Sequence, residues 1–112
     1  MLPAGLTDFA WPEAYRRTLA RGLVQLQPWS FLDSDELALA WRGLRERYPS
    51  REVVPFARRL DGDDVACFLP GGEVLVIHDF ASPGYEAPAG ATSYWEWFRA
   101  AVEDVIVSEQ EA

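Results

Sequence analysis

The residues best suited to chemistry in this chain are few, and they fall in its second half. His78 is the single histidine and Cys67 the single cysteine. His78-Asp79 has the order of a base followed by the carboxylate that orients it, the pairing hydrolases use. That chemistry also needs a nucleophile, and no Gly-x-Ser-x-Gly elbow is present to supply one. His78 with Cys67 offers two soft metal ligands, where structural zinc takes four and catalytic zinc usually three from protein. Asp61-Gly62-Asp63-Asp64 could open a calcium loop. Counted from Asp61, however, the sixth position is Ala66 rather than glycine and the twelfth is Gly72 rather than glutamate, so a turn is the better reading. The carboxylate pairs Asp63/Asp64 and Glu103/Asp104 fall in a turn and on a helix surface, where nothing separates their pKa values for acid–base work. Gly71-Gly72 and Gly84 make no Gly-x-Gly-x-x-Gly motif. All ten basic residues are arginines, which excludes a P-loop or Schiff-base lysine. The expectation is no catalytic residue, no metal and no cofactor. A small hydrolase or metal enzyme using His78, Asp79 and Cys67 is the alternative.

Charge narrows the partner. The chain carries −8 overall, unevenly. Residues 1–60 hold nine arginines against seven acids, and residues 61–112 hold one arginine, Arg99, against eleven acids. An acidic face repels phosphate, which argues against nucleic acid. It attracts and steers a basic protein. Exposed acids also keep a domain soluble, so charge alone does not single out a binding surface. No apolar run approaches the 18 residues of a membrane span. The start, Met1-Leu2-Pro3-Ala4-Gly5, lacks the basic and apolar regions of a signal peptide. One cysteine in an apolar run allows no intrachain disulfide and reads as a buried structural thiol. These features lead us to expect a cytoplasmic protein.

The elements that would position these residues can be read from spacing. The 112 residues suit one domain, spanning 1–112 with a tail at 108–112 that should fray. Trp11-Pro12-Glu13 opens a helix, and Gly22 can stop it. Trp11, Tyr15 and Leu19 would share its inner face. Residues 23–32 read as an apolar connector, since Pro28 forbids a regular central strand. Asp33 and Glu36 have capping-box spacing before a helix whose stripe is Leu37, Trp41, Leu44 and Tyr48. With Trp41 buried, Trp41→Ala should cost about 3–5 kcal/mol. Arg42, Arg45 and Glu46 should face water, and Pro49 ends the helix.

Three strands are predicted next, at 53–60, 65–69 and 74–77. Pro55 marks an edge or a bulge in the first. Asp61-Gly62 suggests a type I′ hairpin, which would set Arg59 opposite Asp64 for a surface contact of about 0.2–1 kcal/mol. The third strand is continuously apolar, so both its faces should be covered. Residues 79–92 form a loop long enough to suggest a role in binding. Ser93 and Glu96 have capping-box spacing for a last helix, with Trp95, Phe98, Val102, Val105 and Ile106 as its apolar face. The fold class is therefore α+β, a mostly antiparallel meander flanked by helices.

The segment from Pro55-Phe56-Ala57 through the turn Asp61-Gly62-Asp63-Asp64 to Val65-Ala66-Cys67-Phe68 resembles the central strand motif of the SUKH superfamily. That group holds Smi/Knr-type cell-wall-assembly regulators and many bacterial immunity proteins. Val74-Leu75-Val76-Ile77-His78-Asp79-Phe80 is similar to the family's next strand, and Ser93-Tyr94-Trp95-Glu96-Trp97-Phe98 to the start of its last helix. Trp11-Pro12-Glu13-Ala14-Tyr15 and Leu26-Gln27-Pro28-Trp29 match its opening parts more weakly. The likeness covers about residues 11–107, with Pro55, Phe56, Ala57, Gly62, Asp63, Phe68, Trp95 and Phe98 as its structural positions. It implies an α+β protein with no catalytic site that binds another protein. Either it neutralises a cognate toxin, such as a nuclease with a basic active site, or it acts as a regulatory scaffold of the Smi/Knr kind. On that reading Asp61, Asp63, Asp64, Glu73, Asp79, Tyr85 and Glu86 are the candidate partner contacts. The sequence fixes neither the partner nor the oligomeric state.

Overall fold

The computed structural model describes residues 4–23 and 25–111. Its elements, in chain order, are α1 (Ala4–Thr7), α2 (Glu13–Ala20), β1 (Gln25–Leu26), β2 (Trp29–Phe31) and α3 (Ser34–Arg47), followed by β3 (Val54–Arg59), β4 (Asp64–Phe68), β5 (Val74–His78), β6 (Ala91–Thr92) and α4 (Tyr94–Glu111). The six strands form one sheet in sequence order, each antiparallel to its neighbours. The fold is thus α+β with an antiparallel meander. No helix among the described residues is long and apolar enough to cross a membrane.

Local signals set most boundaries. Pro12 caps α2, and Gly22 closes it at φ +73°. Asp33 accepts a hydrogen bond from the Glu36 amide at 2.9 Å, and Glu36 Oε1 accepts one from the Asp33 amide at 3.0 Å, completing the capping box of α3. Ser93 Oγ accepts from the Glu96 amide at the start of α4. Pro55 lies at a register shift in β3, an interior strand, so it marks a bulge and not an edge.

Other expectations are corrected. Residues 25–31 form the β1–β2 hairpin with Pro28 in its turn, where the sequence suggested a connector; Val24 lies outside the described residues. Gly62 is not among the glycines with positive φ, so the β3–β4 turn is not type I′. Arg59 turns to Asp61 and Asp104 instead of Asp64. Leu19 is more than a third exposed, and Thr18 takes its place on the inner face of α2. Trp41 is half-buried with Arg45 stacked on its ring, so its truncation should cost less than full burial implied. α4 buries Tyr94, Trp97 and Ala101 and leaves Trp95 and Ile106 exposed, while Phe98 and Val105 pack against the core as expected. It also stays helical to Glu111, beyond the 107/108 boundary at which fraying was expected.

Strand alternation sorts the core into two layers. One face of the sheet meets α2 and α4 through Tyr15, Phe31, Phe56, Phe68, Tyr94 and Trp97. Phe56 and Phe68 are fully buried and stack with centroids 4.2 Å apart, and Trp97 meets Phe56 edge-on at 4.9 Å. The other face meets α3 through Val65, Cys67, Leu75 and Ile77 against Leu44 and Tyr48. Coverage is unequal. Neighbouring strands stand about 4.8 Å apart and a helix is about 10 Å across, so α3 alone shields two or three strands. A hollow remains along each side of it.

Candidate partner-binding groove

Alternation also decides which reactive side chains can meet. His78 stands opposite Asp64, and Cys67 opposite Leu75. His78 and Asp64 therefore share the α2/α4 side of the sheet, whereas Cys67 points at α3. The His78 ring nitrogen Nδ1 is hydrogen-bonded to Asp64, not to Asp79. Cys67 is completely buried, and burial pushes its thiol pKa well up. The geometry does not bring His78, Asp79 and Cys67 together. No group of three or more metal-ligating side chains occurs among the described residues.

Asp79 instead belongs to a set of bonds that ties the long loop to the C-terminal end of α3. Arg47 donates from Nε and Nη2 to the two Asp79 oxygens, both at 2.6 Å. Tyr48 donates its hydroxyl hydrogen to the Ala81 carbonyl at 2.8 Å. Arg51 donates to Glu86 Oε2 at 2.6 and 2.9 Å, while the other Glu86 oxygen accepts from the Gly84 amide at 2.6 Å. Arg51 and that amide hold the Glu86 carboxyl below its ordinary pKa. The Asp79 hydrogen bond, opposed by some desolvation, raises the pKa of Arg47. Gly43 makes room for this arrangement: a Cβ there would come within 2.7 Å of the Arg47 guanidinium.

These bonds hold Phe80 in an unusual position. Its φ is +66°, a left-handed conformation that a bulky residue rarely takes. Its amide donates to Asp79 Oδ1 at 2.9 Å, and the Arg47 guanidinium lies 4.3 Å from its ring centroid. The ring remains 68% exposed. Leu39, on α3, is 72% exposed. Both line a groove of about 450 Å³ between α3 and the β3–β4 turn, with Leu32, Ala40 and Val65 among its apolar lining. The acidic residues Glu36, Glu46, Asp63 and Asp79 line it against Arg47 and Arg58, while Asp64 borders it with its carboxylate turned to His78 on the other face. The groove is apolar inside and net negative around it.

The structure divides the seven candidate contacts. Asp63 lines the groove, and so does Asp79, whose side chain is only 10% exposed and committed to Arg47; Asp64 borders it but turns its carboxylate to His78 on the other face of the sheet. Glu86 is buried and bound to Arg51, which corrects its place as a surface contact. Asp61 is exposed but paired with Arg59. Glu73 lies in the β4–β5 turn, at the opposite end of the sheet from Asp63. Tyr85 is 77% exposed on the long loop. Sequence reasoning missed Leu39 and Phe80. Leu39 could have been found as an apolar residue off the stripe of α3. The backbone of Phe80 has no comparable signal, because it depends on Arg47 from another element.

Compared with known proteins, the chain is similar to part of the TonB-dependent receptor P3 of Formosa agariphila, with 26% identity over 100 residues. The match covers 84% of this chain and 10% of the receptor, so the chain spans about a tenth of that protein's length. No family model matches the chain. No solved structure matches it.

Proposed function

We propose that this chain is a non-enzymatic protein-binding domain of the SUKH kind, an immunity protein that neutralises a cognate basic toxin in the cytoplasm by direct binding. The observation that carries this reading is the groove beside α3, where two large apolar side chains stand exposed together with the acidic residues Glu36, Glu46 and Asp63. An apolar anchor framed by charge is the composition of a binding hot spot. A nuclease holds a polyanion, so its working surface is basic, and a negative groove complements it. The held position of Phe80 supports the same reading, since a side chain fixed before binding loses little entropy on contact.

The test is co-expression with the basic protein encoded next to this gene. Growth should be restored, and calorimetry should show a one-to-one complex. Phe80→Asn and Leu39→Asp should each weaken the complex about tenfold or more. Asparagine tolerates the left-handed backbone, so the first variant removes the ring without forcing the loop to move. Failure to rescue growth, together with no binding to any neighbour-encoded basic protein, would count decisively against the proposal.

A further inference from the structure

A second unpartnered surface lies on the opposite side of the molecule, along α4. At 100° per residue, Trp95, Val102 and Ile106 fall in one line, separate from the buried line of Tyr94, Trp97 and Ala101. Trp95 is 50% exposed and Ile106 44% exposed. Beside Trp95, Arg17 of α2 and, from the turn after it, Arg21 and the 40%-exposed Leu23 line a shallow hollow of about 270 Å³. The stripe is therefore apolar along its length, basic where α4 begins, and acidic at Glu103 and Glu109 toward its end.

Arg21 and Arg99 have no ion-pair partner among the described residues, and neither do Glu103 and Glu109. Arg17 reaches Glu13 only at 4.0 Å, with both side chains more than 70% exposed. Arg99 and Glu103 stand at the i,i+4 spacing that favours a pair, yet they do not close one.

We infer that this face is a self-association surface, on which a second copy of the chain packs its α4 antiparallel to the first about a two-fold axis. Aligning Trp95 with the second copy's Ile106 sets Arg99 against the second copy's Val102, next to its Glu103. The same alignment brings the basic end of each stripe to the acidic end of the other, twice, as an isologous interface requires. A parallel arrangement would set like charges together. The antiparallel copy is thus the occupant that covers the apolar stripe and also neutralises both of its ends.

Sedimentation of the purified full chain over a dilution series tests this. Wild type should pass from the mass of one chain to that of two as concentration rises. Trp95→Glu and Ile106→Glu should each hold it at one chain, with circular dichroism and cooperative melting unchanged. A charge exchange gives a result that misfolding cannot imitate. The double variants Arg17→Glu/Arg21→Glu and Glu103→Arg/Glu109→Arg should each associate less than wild type, and mixing them should restore a mixed dimer. A single-chain mass at every concentration would overturn the inference. So would a dimer that survives Trp95→Glu, or one lost instead on Leu39→Asp.

Discussion

Thr18 and Tyr94 share a buried hydrogen bond whose two ends are not equivalent. Thr18 Oγ1 spends its hydrogen on the Tyr15 carbonyl at 2.7 Å, so Tyr94 must donate to Thr18, also at 2.7 Å. Thr18→Val strands the Tyr94 hydroxyl between α2 and α4 and should cost about 1–3 kcal/mol. Tyr94→Phe leaves Thr18 bonded to Tyr15 and should cost about 0.5–1.5 kcal/mol. Denaturant unfolding of the two variants checks the order. Burial, with a smaller contribution from Tyr94, pushes the Tyr15 hydroxyl pKa up to about 12, so this layer stays neutral throughout the working pH range. At this scale the sequence was legible where partners are close along the chain. The Asp33/Glu36 capping box and the Ser93 cap of α4 each span three residues, and spacing revealed them. Thr18 meets Tyr94 across 76 residues, and no local pattern encodes that meeting.

Among the elements, the loop after β5 behaves as an extension of α3, since Arg47, Tyr48 and Arg51 hold it at Asp79, Ala81 and Glu86. Arg47→Ala should leave the nearly buried Asp79 carboxylate unpaired and cost about 1–3 kcal/mol. Hydrogen exchange should then quicken at residues 79–86 while β4 stays protected, because loops open separately from core strands. Equal protection in both segments after the substitution would contradict this account. β3, β4 and β5 were legible because each carries five or six residues of strand composition. β1 and β6 have two residues each and β2 has three, too few for any period to show. On α4, Phe98 and Val105 were read correctly as core-facing but Trp95 and Ile106 were not, because the helix bears a second apolar line beside the buried one and spacing alone does not rank them.

Across the whole molecule, the uneven charge of the two sequence halves becomes internal pairing. Arg47, Arg51 and Arg59 from the first half meet Asp79, Glu86 and Asp104 from the second. Pairs of this kind make stability depend on pH. The Glu86 carboxyl pKa is lowered on folding, so the unfolded chain binds the extra proton. Its contribution is therefore complete above the ordinary glutamate pKa of 4.5 and is lost as pH falls through the lower folded value. Melting profiles of wild type and Glu86→Gln should differ at neutral pH and converge in acid. The α+β layering was legible from hydrophobic pattern, but the groove was not, since it arises where one helix covers too little of a sheet.

Cys67 offers a practical consequence of that layering. As the only thiol, sealed between the sheet and α3, it stays out of reach of an aqueous alkylating reagent while the layers remain closed. Its modification rate then measures how often the α3 layer parts from the strands. A tightly bound occupant of the neighbouring groove should slow that labelling, which turns the sulfur into a native reporter that needs no attached dye.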